Sequence, residues 1–344
     1  MNRFALAHAR TIADAAARAT TTVADAMTAA RSNAARPASL IKAGGIDVLD
    51  LMKENLLAPD MLVSLRDVAG LDTITEAPDG GLRIGAMVTL GALAAHDMVR
   101  RRYPALAAAL AGAASPQIRH VATLGGNLLQ RPRCWYFRAA AFHCLRKGGG
   151  HCFAISGESQ YHAIFDNRPC AIVHPSSAAS VLVALDAAIE LVDADDTIRR
   201  LPLASFFVAP GRDTERENDL RPREILTAIL LPPPAAGLCT AYLRQGERSA
   251  FDWPLAEVAV ALVRNEESLC VHAVIVLGAA APVPYRAQAA EAALLGRRVD
   301  DNAARAAARA AMEGATPLPR NGYKLPLFEA LVHRAIMAAV AETL

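Results

Sequence analysis

The chain has 344 residues, of which 53% are hydrophobic and 20% are charged, so it can bury a large core and is expected to divide into two or three units. Its 36 basic and 34 acidic side chains leave a net charge of +2 and are spread along the sequence, which argues against nucleic-acid binding. No apolar run reaches the roughly 18 residues that span a bilayer. The apolar start is interrupted too early for a signal peptide, as expected for a soluble cytoplasmic protein.

The N-terminal half alternates short apolar strands with alanine-rich helices. A strand at residues 4–8 precedes a helix that begins at Thr11, a good N-cap, and runs to about residue 35, before Pro37. A second strand begins at Ser39 and leads through two glycines into a helix that ends near residue 53. The further predicted elements are strands at 61–65 and 81–86 and helices at 89–99 and 104–114.

Beyond residue 178 the pattern changes to strands followed by helices. A helix at 179–187 precedes strands at 188–192 and 198–203, which are predicted to form a hairpin. A strand at 224–231 is stopped by three prolines, and this is the predicted domain boundary. Strands at 240–244, 257–263 and 268–277 are then followed by two alanine-rich helices, which suggests an α+β C-terminal domain.

Two glycine pairs stand where the chain turns into a helix. The first is Gly44 and Gly45, and the second lies within residues 123–127, Thr-Leu-Gly-Gly-Asn. One such pair is more often a simple turn, but two together indicate a ligand site. Glycine lets the backbone approach a ligand closely, and the neighbouring hydroxyl and amide can bind phosphate or ribityl oxygens. Neither site has the spacing of a Rossmann turn or a P-loop, so a different fold must hold the ligand.

Three segments together resemble the FAD-binding medium subunit of molybdenum hydroxylases, the family of xanthine dehydrogenase and carbon monoxide dehydrogenase flavoproteins. They are residues 42–53, residues 117–127 and residues 224–226. The resemblance covers nearly the whole chain and implies an α+β fold. It implies a FAD-binding domain of the vanillyl-alcohol-oxidase/PCMH type at 1–232, with two α+β subdomains at about 1–60 and 61–232. A CO dehydrogenase flavoprotein C-terminal-like α+β domain would follow at 233–344.

The resemblance also implies which residues hold FAD. The two glycine loops would grip its pyrophosphate, and Leu226 would pack on the flavin ring. The chain departs from the family pattern at three positions: Ile46 replaces a polar residue, Ser177 an aspartate, and Arg244 a lysine near the isoalloxazine. A changed charge there would alter the flavin potential or the oxidant. The predicted FAD-binding residues are Lys42, Ala43, Gly44, Gly45, Ile46, Asp47, Val48, Leu49, Gln117, Thr123, Gly125, Gly126, Asn127, Ser177, Leu226 and Arg244.

Four of the six cysteines follow the second glycine loop within 37 positions. They are Cys134, Cys144, Cys152 and Cys170. Their spacing contains no Cys-x-x-Cys pair, so zinc, an iron–sulfur cluster, disulfides and unrelated thiols all remain open. Four thiolates is the ligand count of a [4Fe–4S] cluster, and its negative charge can be surrounded by nearby basic residues, Arg131, Arg133, Arg138, Arg146 and Lys147. The other two cysteines, Cys239 and Cys270, stand among apolar residues and are predicted to be core thiols.

Histidines and aromatic residues accompany the four cysteines. His143, His151 and His162 could bind or tune a metal, but we expect them to face solvent. The aromatic run at 135–137 could shield a cofactor from water or pack the segment onto the body of the protein.

Within the family, residues 129–137 and 174–176 resemble the FAD and iron–sulfur subunit of bacterial periplasmic aldehyde oxidoreductases. The first cysteine interval, of nine residues, matches that subfamily, whereas the other two differ slightly. This resemblance implies that the four cysteines bind a [4Fe–4S] cluster in an insertion at about residues 131–173.

The resemblance implies an electron-transfer subunit of a molybdenum-dependent aldehyde oxidoreductase. A large partner subunit with molybdopterin would oxidise the aldehyde, a small partner subunit would carry [2Fe–2S] clusters, and FAD would pass the electrons to a final acceptor. Export to the periplasm would need a signal-bearing partner. Two alternatives stay open: the flavin subunit of a 4-hydroxybenzoyl-CoA reductase, and a redox-inert assembly subunit with a degenerate flavin site.

Overall fold

The computed structural model describes residues 2–29, 37–248 and 251–341. Within these ranges the chain forms a three-stranded, a five-stranded and a four-stranded sheet, with helices packed around them. The predicted α+β class is confirmed. No helix in the described ranges is long and apolar enough to cross a membrane.

The first sheet is parallel and has the strand order β1-β3-β2. Its elements are β1 (Ala5–His8), α1 (Ile12–Arg18), α2 (Val23–Ala29), β2 (Ser39–Lys42), α3 (Ile46–Lys53) and β3 (Met61–Ser64). Leu40 and Leu62 are partners in register and are fully buried in one apolar cluster with Leu51 of α3. The central strand lies after residue 60, so this sheet continues past the predicted subdomain boundary.

The prediction of a single helix at residues 11–35 is wrong for the part that the structure describes. α1 ends at Arg18, and a new helix begins after three consecutive threonines. Thr22 starts this helix because its hydroxyl accepts a hydrogen bond from the Asp25 N–H at 3.2 Å, and such capping competes with helix continuation. Residues 30–35 of the prediction lie outside the described ranges.

The second sheet is antiparallel, with the order β4-β5-β8-β6-β7. Its strands are β4 (Ile74–Glu76), β5 (Leu82–Gly85), β6 (Ala188–Val192), β7 (Ile198–Pro202) and β8 (Ile225–Leu231). The accompanying helices are α4 (Leu90–Ala95), α5 (Asp97–Arg102), α6 (Pro104–Gly112), α7 (Pro116–Arg119), α8 (Leu124–Leu128), α9 (Trp135–Arg138), α10 (Ser177–Ala184) and α11 (Leu203–Phe206). The predicted β6–β7 hairpin is confirmed, whereas the helix predicted at 89–99 is broken at His96, which adopts an extended conformation.

The third sheet is antiparallel, with the order β12-β11-β10-β9. Its elements are β9 (Leu238–Gln245), β10 (Ala256–Arg264), β11 (Cys270–Gly278), β12 (Tyr285–Arg286), α12 (Gln288–Leu294), α13 (Asp301–Ala310) and α14 (Lys324–Ala341). Three helices follow the sheet in the described part of the chain, rather than the two predicted, because Gly296 has φ +73° and Asp300 caps α13. α10 is almost entirely buried and packs against β10 and β11 as well as α6, so it joins the second sheet to the third.

Candidate functional site

A cleft of about 510 Å³ is lined by residues from all three sheets. Both glycine loops line it, together with residues from β8 and β9. Its volume lies within the range of cofactor sites, which combine apolar walls with a few polar groups. The cleft is therefore large enough to hold part of an extended dinucleotide.

The first glycine loop joins β2 to α3. Gly45 has φ +86°, a conformation that disfavours a side chain, and as the N-cap residue it supplies no side-chain hydrogen bond to the helix. The backbone N–H groups in the first turn of α3 are therefore not capped by the side chain of the N-cap residue, and they lie at the positive end of the helix dipole. Such an arrangement suits an anionic group such as a pyrophosphate.

The second glycine loop packs directly on the first. A Cβ on Gly44 would stand 2.1 Å from the carbonyl oxygen of Val121. Gly125 is equally restricted, because a Cβ there would lie 2.9 Å from the Cβ of Ala86. Thr123 caps α8 by accepting a hydrogen bond from the Gly126 N–H at 3.2 Å. Asn127 is fixed by the Ser176 hydroxyl, which donates to its Oδ1 at 2.6 Å.

Thirteen of the sixteen predicted FAD-binding residues line the cleft. They are Ala43, Gly44, Gly45, Ile46, Asp47, Val48, Thr123, Gly125, Gly126, Asn127, Ser177, Leu226 and Arg244. The other three lie outside its lining. Gln117 is exposed on α7, Leu49 packs against the apolar cluster under α3, and the Lys42 ammonium donates to the Ala43 carbonyl at 3.4 Å.

Two of the residues that depart from the family pattern adjoin a buried acid. Ser177 and Arg244 lie beside Glu257, whose carboxylate accepts a hydrogen bond from the Tyr242 hydroxyl at 2.6 Å. Burial raises the pKa of Glu257 above its usual value, although its hydrogen bonds oppose this. The Arg244 guanidinium itself donates to the carbonyl oxygen of Asp252 at 2.6 Å. A positive charge is thereby held at the wall of the cleft.

Sequence reasoning missed aromatic residues at the mouth of the cleft. Phe251 and Trp253 line it, and both rings are largely exposed. The Arg133 guanidinium lies 5.1 Å from the centroid of the Trp253 ring, a cation–π contact. In the sequence, the signal for this contact was the presence of two aromatic residues in the otherwise polar connection between β9 and β10.

The four clustered cysteines line one small cavity beside the cleft. Phe137, which is fully buried, and Arg146 line it with them. The structure thus brings together Cys134, Cys144, Cys152 and Cys170, none of which forms a disulfide. Cys239 and Cys270 are buried in the C-terminal core, as predicted.

The four thiols do not converge on one metal-ion position. Over the described ranges, no group of three or more histidine, cysteine, aspartate or glutamate side chains is close enough to hold one metal ion. Zinc needs its thiolates within about 2.3 Å of one point, whereas a four-iron cluster binds each thiolate to a different iron. Burial raises the pKa of the Cys134 thiol to about 12, so a cluster must displace its proton to bind.

Arg146 provides an observation that favours an anionic group in this cavity. Its side chain is fully buried and lies against the Cys170 sulfur. The Nε atom has no hydrogen-bond partner, and an unpaired buried donor is costly. Burial alone would lower the pKa of Arg146, but Glu217 and Cys170 raise it, so the guanidinium stays charged. A sulfur-rich anion would satisfy both the charge and the donor.

The side chains of two other arginines in this segment, Arg133 and Arg138, bind α3 rather than the cavity. Asp47 accepts hydrogen bonds from the Arg131 backbone N–H at 2.8 Å and from the Arg138 guanidinium at 2.7 Å. Arg133 contacts Asp47 at 2.7 Å and Asp50 at 2.9 Å. The expectation that these basic residues surround a cluster is therefore wrong for Arg133 and Arg138. They instead tie the cysteine segment to the first glycine loop.

The prediction that the three histidines face solvent is wrong for one of them. His143 and His151 are exposed, but His162 is buried with its Nε2 3.2 Å from the Cys134 sulfur. Burial, followed by the charge of Lys324, lowers the pKa of His162 to about 4, so its ring is neutral. It can orient the thiol or thiolate of Cys134.

The C-terminal domain holds the last part of the cysteine segment. Lys324 and Asn321 donate hydrogen bonds to the carbonyl oxygen of His162, at 3.2 and 3.0 Å. The Thr316 N–H donates to the carbonyl of Ile164 at 2.7 Å. Phe165 stacks on Tyr285, with 4.0 Å between the ring centroids. The chain just before Cys170 is thus part of the C-terminal core.

The α+β fold and the cleft formed by two glycine loops are those of a flavin-binding oxidoreductase subunit. Residues 8–234 match the family described as FAD binding domain in molybdopterin dehydrogenase, and residues 241–339 match the CO dehydrogenase flavoprotein C-terminal domain. The chain therefore belongs to the FAD-binding subunits of the molybdenum hydroxylases. The resemblance inferred from three short segments is confirmed.

Individual relatives agree with this assignment. The chain is 36% identical over 308 residues to the aldehyde oxidoreductase FAD-binding subunit PaoB of Escherichia coli strain K12, covering 89% of this chain and 92% of that protein. It is 26% identical over 325 residues to the xanthine dehydrogenase FAD-binding subunit of Escherichia coli O157:H7, covering 93% and 94%. The structure resembles a solved chain of carbon monoxide dehydrogenase from Hydrogenophaga pseudoflava with a TM-score of 0.73, at 26% identity and with 99% and 98% of the two chains covered.

Proposed function

We propose that this chain is the FAD- and [4Fe–4S]-containing electron-transfer subunit of a molybdenum-dependent aldehyde oxidoreductase. The observation that supports a cluster is that four cysteines line one cavity beside a buried arginine whose Nε and Nη2 have no hydrogen-bond partner. The relative at 36% identity is named as an aldehyde oxidoreductase subunit, which supports the substrate class. Aldehyde oxidation itself belongs to a large molybdopterin-binding partner, and a small [2Fe–2S] partner delivers the electrons.

The residues of the cleft have distinct tasks in this function. The two glycine loops hold the FAD pyrophosphate with backbone amides, and Thr123 and Asn127 keep the second loop in shape through their hydrogen bonds. Leu226 packs on the flavin ring, and Arg244 holds a positive charge near it. When bound, FAD accepts electrons from the partner subunits and passes them to a final acceptor.

The residues of the cysteine cavity bind and insulate the cluster. The four thiolates would hold the irons, while Phe137 and the neighbouring aromatic rings exclude water from the cavity. Arg146 lies against the Cys170 sulfur, and hydrogen bonds or positive charge at such sulfurs raise the reduction potential of a cluster. A cluster held there would supply one-electron transfer.

Absorption and metal analysis of the purified chain test the proposal. We expect a flavin band at about 450 nm and about four irons and four acid-labile sulfides per chain. Cys134→Ser should lose most of the iron and sulfide but keep the flavin, whereas the matched control Cys239→Ser should keep both. Absence of flavin overturns the assignment as a whole, and zinc without sulfide overturns the cluster.

Co-purification tests the partners. A tagged chain expressed with its native partners should retain a molybdopterin-containing large subunit and a [2Fe–2S] small subunit, and the complex should oxidise aldehydes. Purification of the chain without either partner, under conditions that keep its flavin, contradicts the proposed complex.

A further inference from the structure

Three buried charged residues form a continuous chain in the wall between the cleft and the cysteine cavity. Glu217 binds the Arg131 Nε with one carboxylate oxygen at 2.8 Å and the Arg146 Nη1 with the other at 2.7 Å. The side chains of Arg131, Glu217 and Arg146 are 4%, 5% and 0% exposed. These are among the most completely buried ion pairs of the described residues, and removing charges from water is costly unless pairing and hydrogen bonds offset the lost hydration.

The two arginines reach different sites. Arg131 and Glu217 line the cleft, while Arg146 lines the cysteine cavity and lies against Cys170. The Arg131 guanidinium also lies 5.0 Å from the centroid of the Phe137 ring, which forms part of the cavity wall. A single carboxylate therefore connects a cation at one site to a cation at the other.

The charges of Arg131, Glu217 and Arg146 do not cancel. Two guanidinium groups share one carboxylate, which leaves one net positive charge. Further carbonyls of residues 215 and 216 accept from the guanidiniums at 2.9 and 3.2 Å, but they neutralise no charge. Arg131 contacts Glu217 as an ion pair but makes no hydrogen bond through Nε or Nη1, and Arg146 makes none through Nε or Nη2. Anionic groups on either side would complete the set, and a thiolate-bound cluster and a flavin are both anionic when reduced.

We propose that Glu217 is a positioning residue that holds Arg131 at the cleft and Arg146 at the cysteine cavity, and that this Arg131–Glu217–Arg146 trio sets the reduction potentials of both cofactors. The inference rests on the proposed function, because it requires both cofactors. It adds a shared electrostatic control. A change at this one carboxylate shifts the reduction potentials of FAD and the cluster in the same direction, so electron exchange between the two sites stays balanced.

The sign of each effect follows from charge. Reduction of the cluster adds one electron and no bond forms or breaks, so nearby positive charge favours the reduced state. Glu217→Gln removes a negative charge and should raise both potentials. Arg146→Gln removes a positive charge and a donor beside Cys170, so it should lower the cluster potential and change the flavin potential little. Arg131→Gln should mainly lower the flavin potential.

Redox titration of the purified chain tests these signs. Dithionite, which is oxidised as it supplies electrons, reduces the protein in the presence of mediator dyes; electron paramagnetic resonance follows the cluster, and absorbance follows the flavin. We expect Glu217→Gln and Arg146→Gln to shift the cluster's reduction equilibrium about tenfold in opposite directions, equal to about 59 mV for one electron. Arg320→Gln, which breaks an exposed ion pair with Glu158, is the matched control and should leave both potentials unchanged.

The outcomes separate the inference from the proposed function. If the wild-type chain holds flavin and cluster but the variants titrate as the wild type does, the inference is overturned and the proposed function stands. If the wild-type chain lacks iron and sulfide, both the inference and the proposed function are overturned. Should Arg146→Gln fail to fold, Arg146→Lys retains the charge, and it must keep a cluster potential closer to wild type than that of Glu217→Gln; equal shifts in these two variants would also overturn the inference.

Discussion

Gly44 and Val121 are in such close contact that the carbonyl oxygen of Val121 occupies the space that a side chain on residue 44 would need. The distance from that oxygen to a Cβ on Gly44 would be 2.1 Å, and backbone cannot yield as a flexible side chain can. The two glycine loops are therefore one structural unit, and the shape of each depends on the other.

Gly44→Ala should separate the loops and weaken flavin binding. Because the added methyl meets backbone, we expect FAD affinity to fall at least about tenfold and the free energy of unfolding to fall by about 1–3 kcal/mol. Fluorescence titration of the apoprotein with FAD measures the first quantity, and urea unfolding measures the second. Gly211→Ala is the control, since a Cβ there meets nothing within 4 Å; equal losses in both variants would contradict the prediction.

Thr123→Val should weaken flavin binding beyond its effect on stability. Thr123 caps α8 in the cleft by accepting from Gly126, and Thr11 caps α1 outside the cleft lining by accepting from the Asp14 N–H at 3.0 Å. Both valine variants should lose about 1 kcal/mol of stability, but only Thr123→Val should lower FAD affinity. The two FAD dissociation constants are compared, and a matching loss of affinity in Thr11→Val would assign the effect to general destabilisation.

Asp47→Asn should loosen the cysteine segment. The carboxylate binds two partly buried guanidiniums and a backbone N–H, and hydrogen bonds to charged groups contribute about 1.5–3 kcal/mol. We expect a loss of this order in urea unfolding and faster release of iron to a chelator. Asp14→Asn disrupts an exposed ion pair with Arg18, which water screens, so this control should leave the free energy of unfolding and the iron release nearly unchanged. Unchanged iron release in Asp47→Asn would show that the segment is held elsewhere.

Stability should rise with pH through a window set by Lys324. Burial lowers the pKa of this lysine from 10.5 to about 7, and the facing His162 is neutral. The unfolded chain therefore binds more protons between pH 7 and 10.5, and unfolding becomes less favourable as pH rises through this window. The gain is on the order of a few kcal/mol.

Urea unfolding at several pH values measures this effect against Lys324→Met. The variant lacks the titrating group, so its stability should change less between pH 7 and 10. Below pH 7 both folded and unfolded lysine are protonated, and the difference between the two proteins should be constant. Parallel curves across the whole range would refute the shifted pKa.

Structural features that are encoded within short segments of the chain were predicted well from the sequence. The two glycine loops were recognisable because a tight turn needs glycine at fixed positions, and thirteen of the sixteen predicted residues line one cleft. The four cysteines were recognisable as a group because they lie near one another in the chain. Strands such as β8 and the β6–β7 hairpin followed from apolar pattern and turn residues.

What the sequence did not predict depends on contacts between distant segments. Glu217 lies between Arg131 and Arg146, more than 70 positions away, and nothing in its neighbours marks it as buried. His162 was expected in solvent, yet Lys324 and Asn321 of the C-terminal domain hold its backbone in the interior. The long N-terminal helix was overpredicted because alanine favours helix, while the capping threonine that interrupts it gives only a local signal.

The bonds from Thr316, Asn321 and Lys324 to residues 162–164 also make the cysteine cavity depend on the C-terminal domain. The segment that these three residues hold leads directly to Cys170. A truncation before residue 316 would remove all three bonds and release the segment that carries the fourth cysteine, so the four-cysteine cavity requires an intact C-terminal domain.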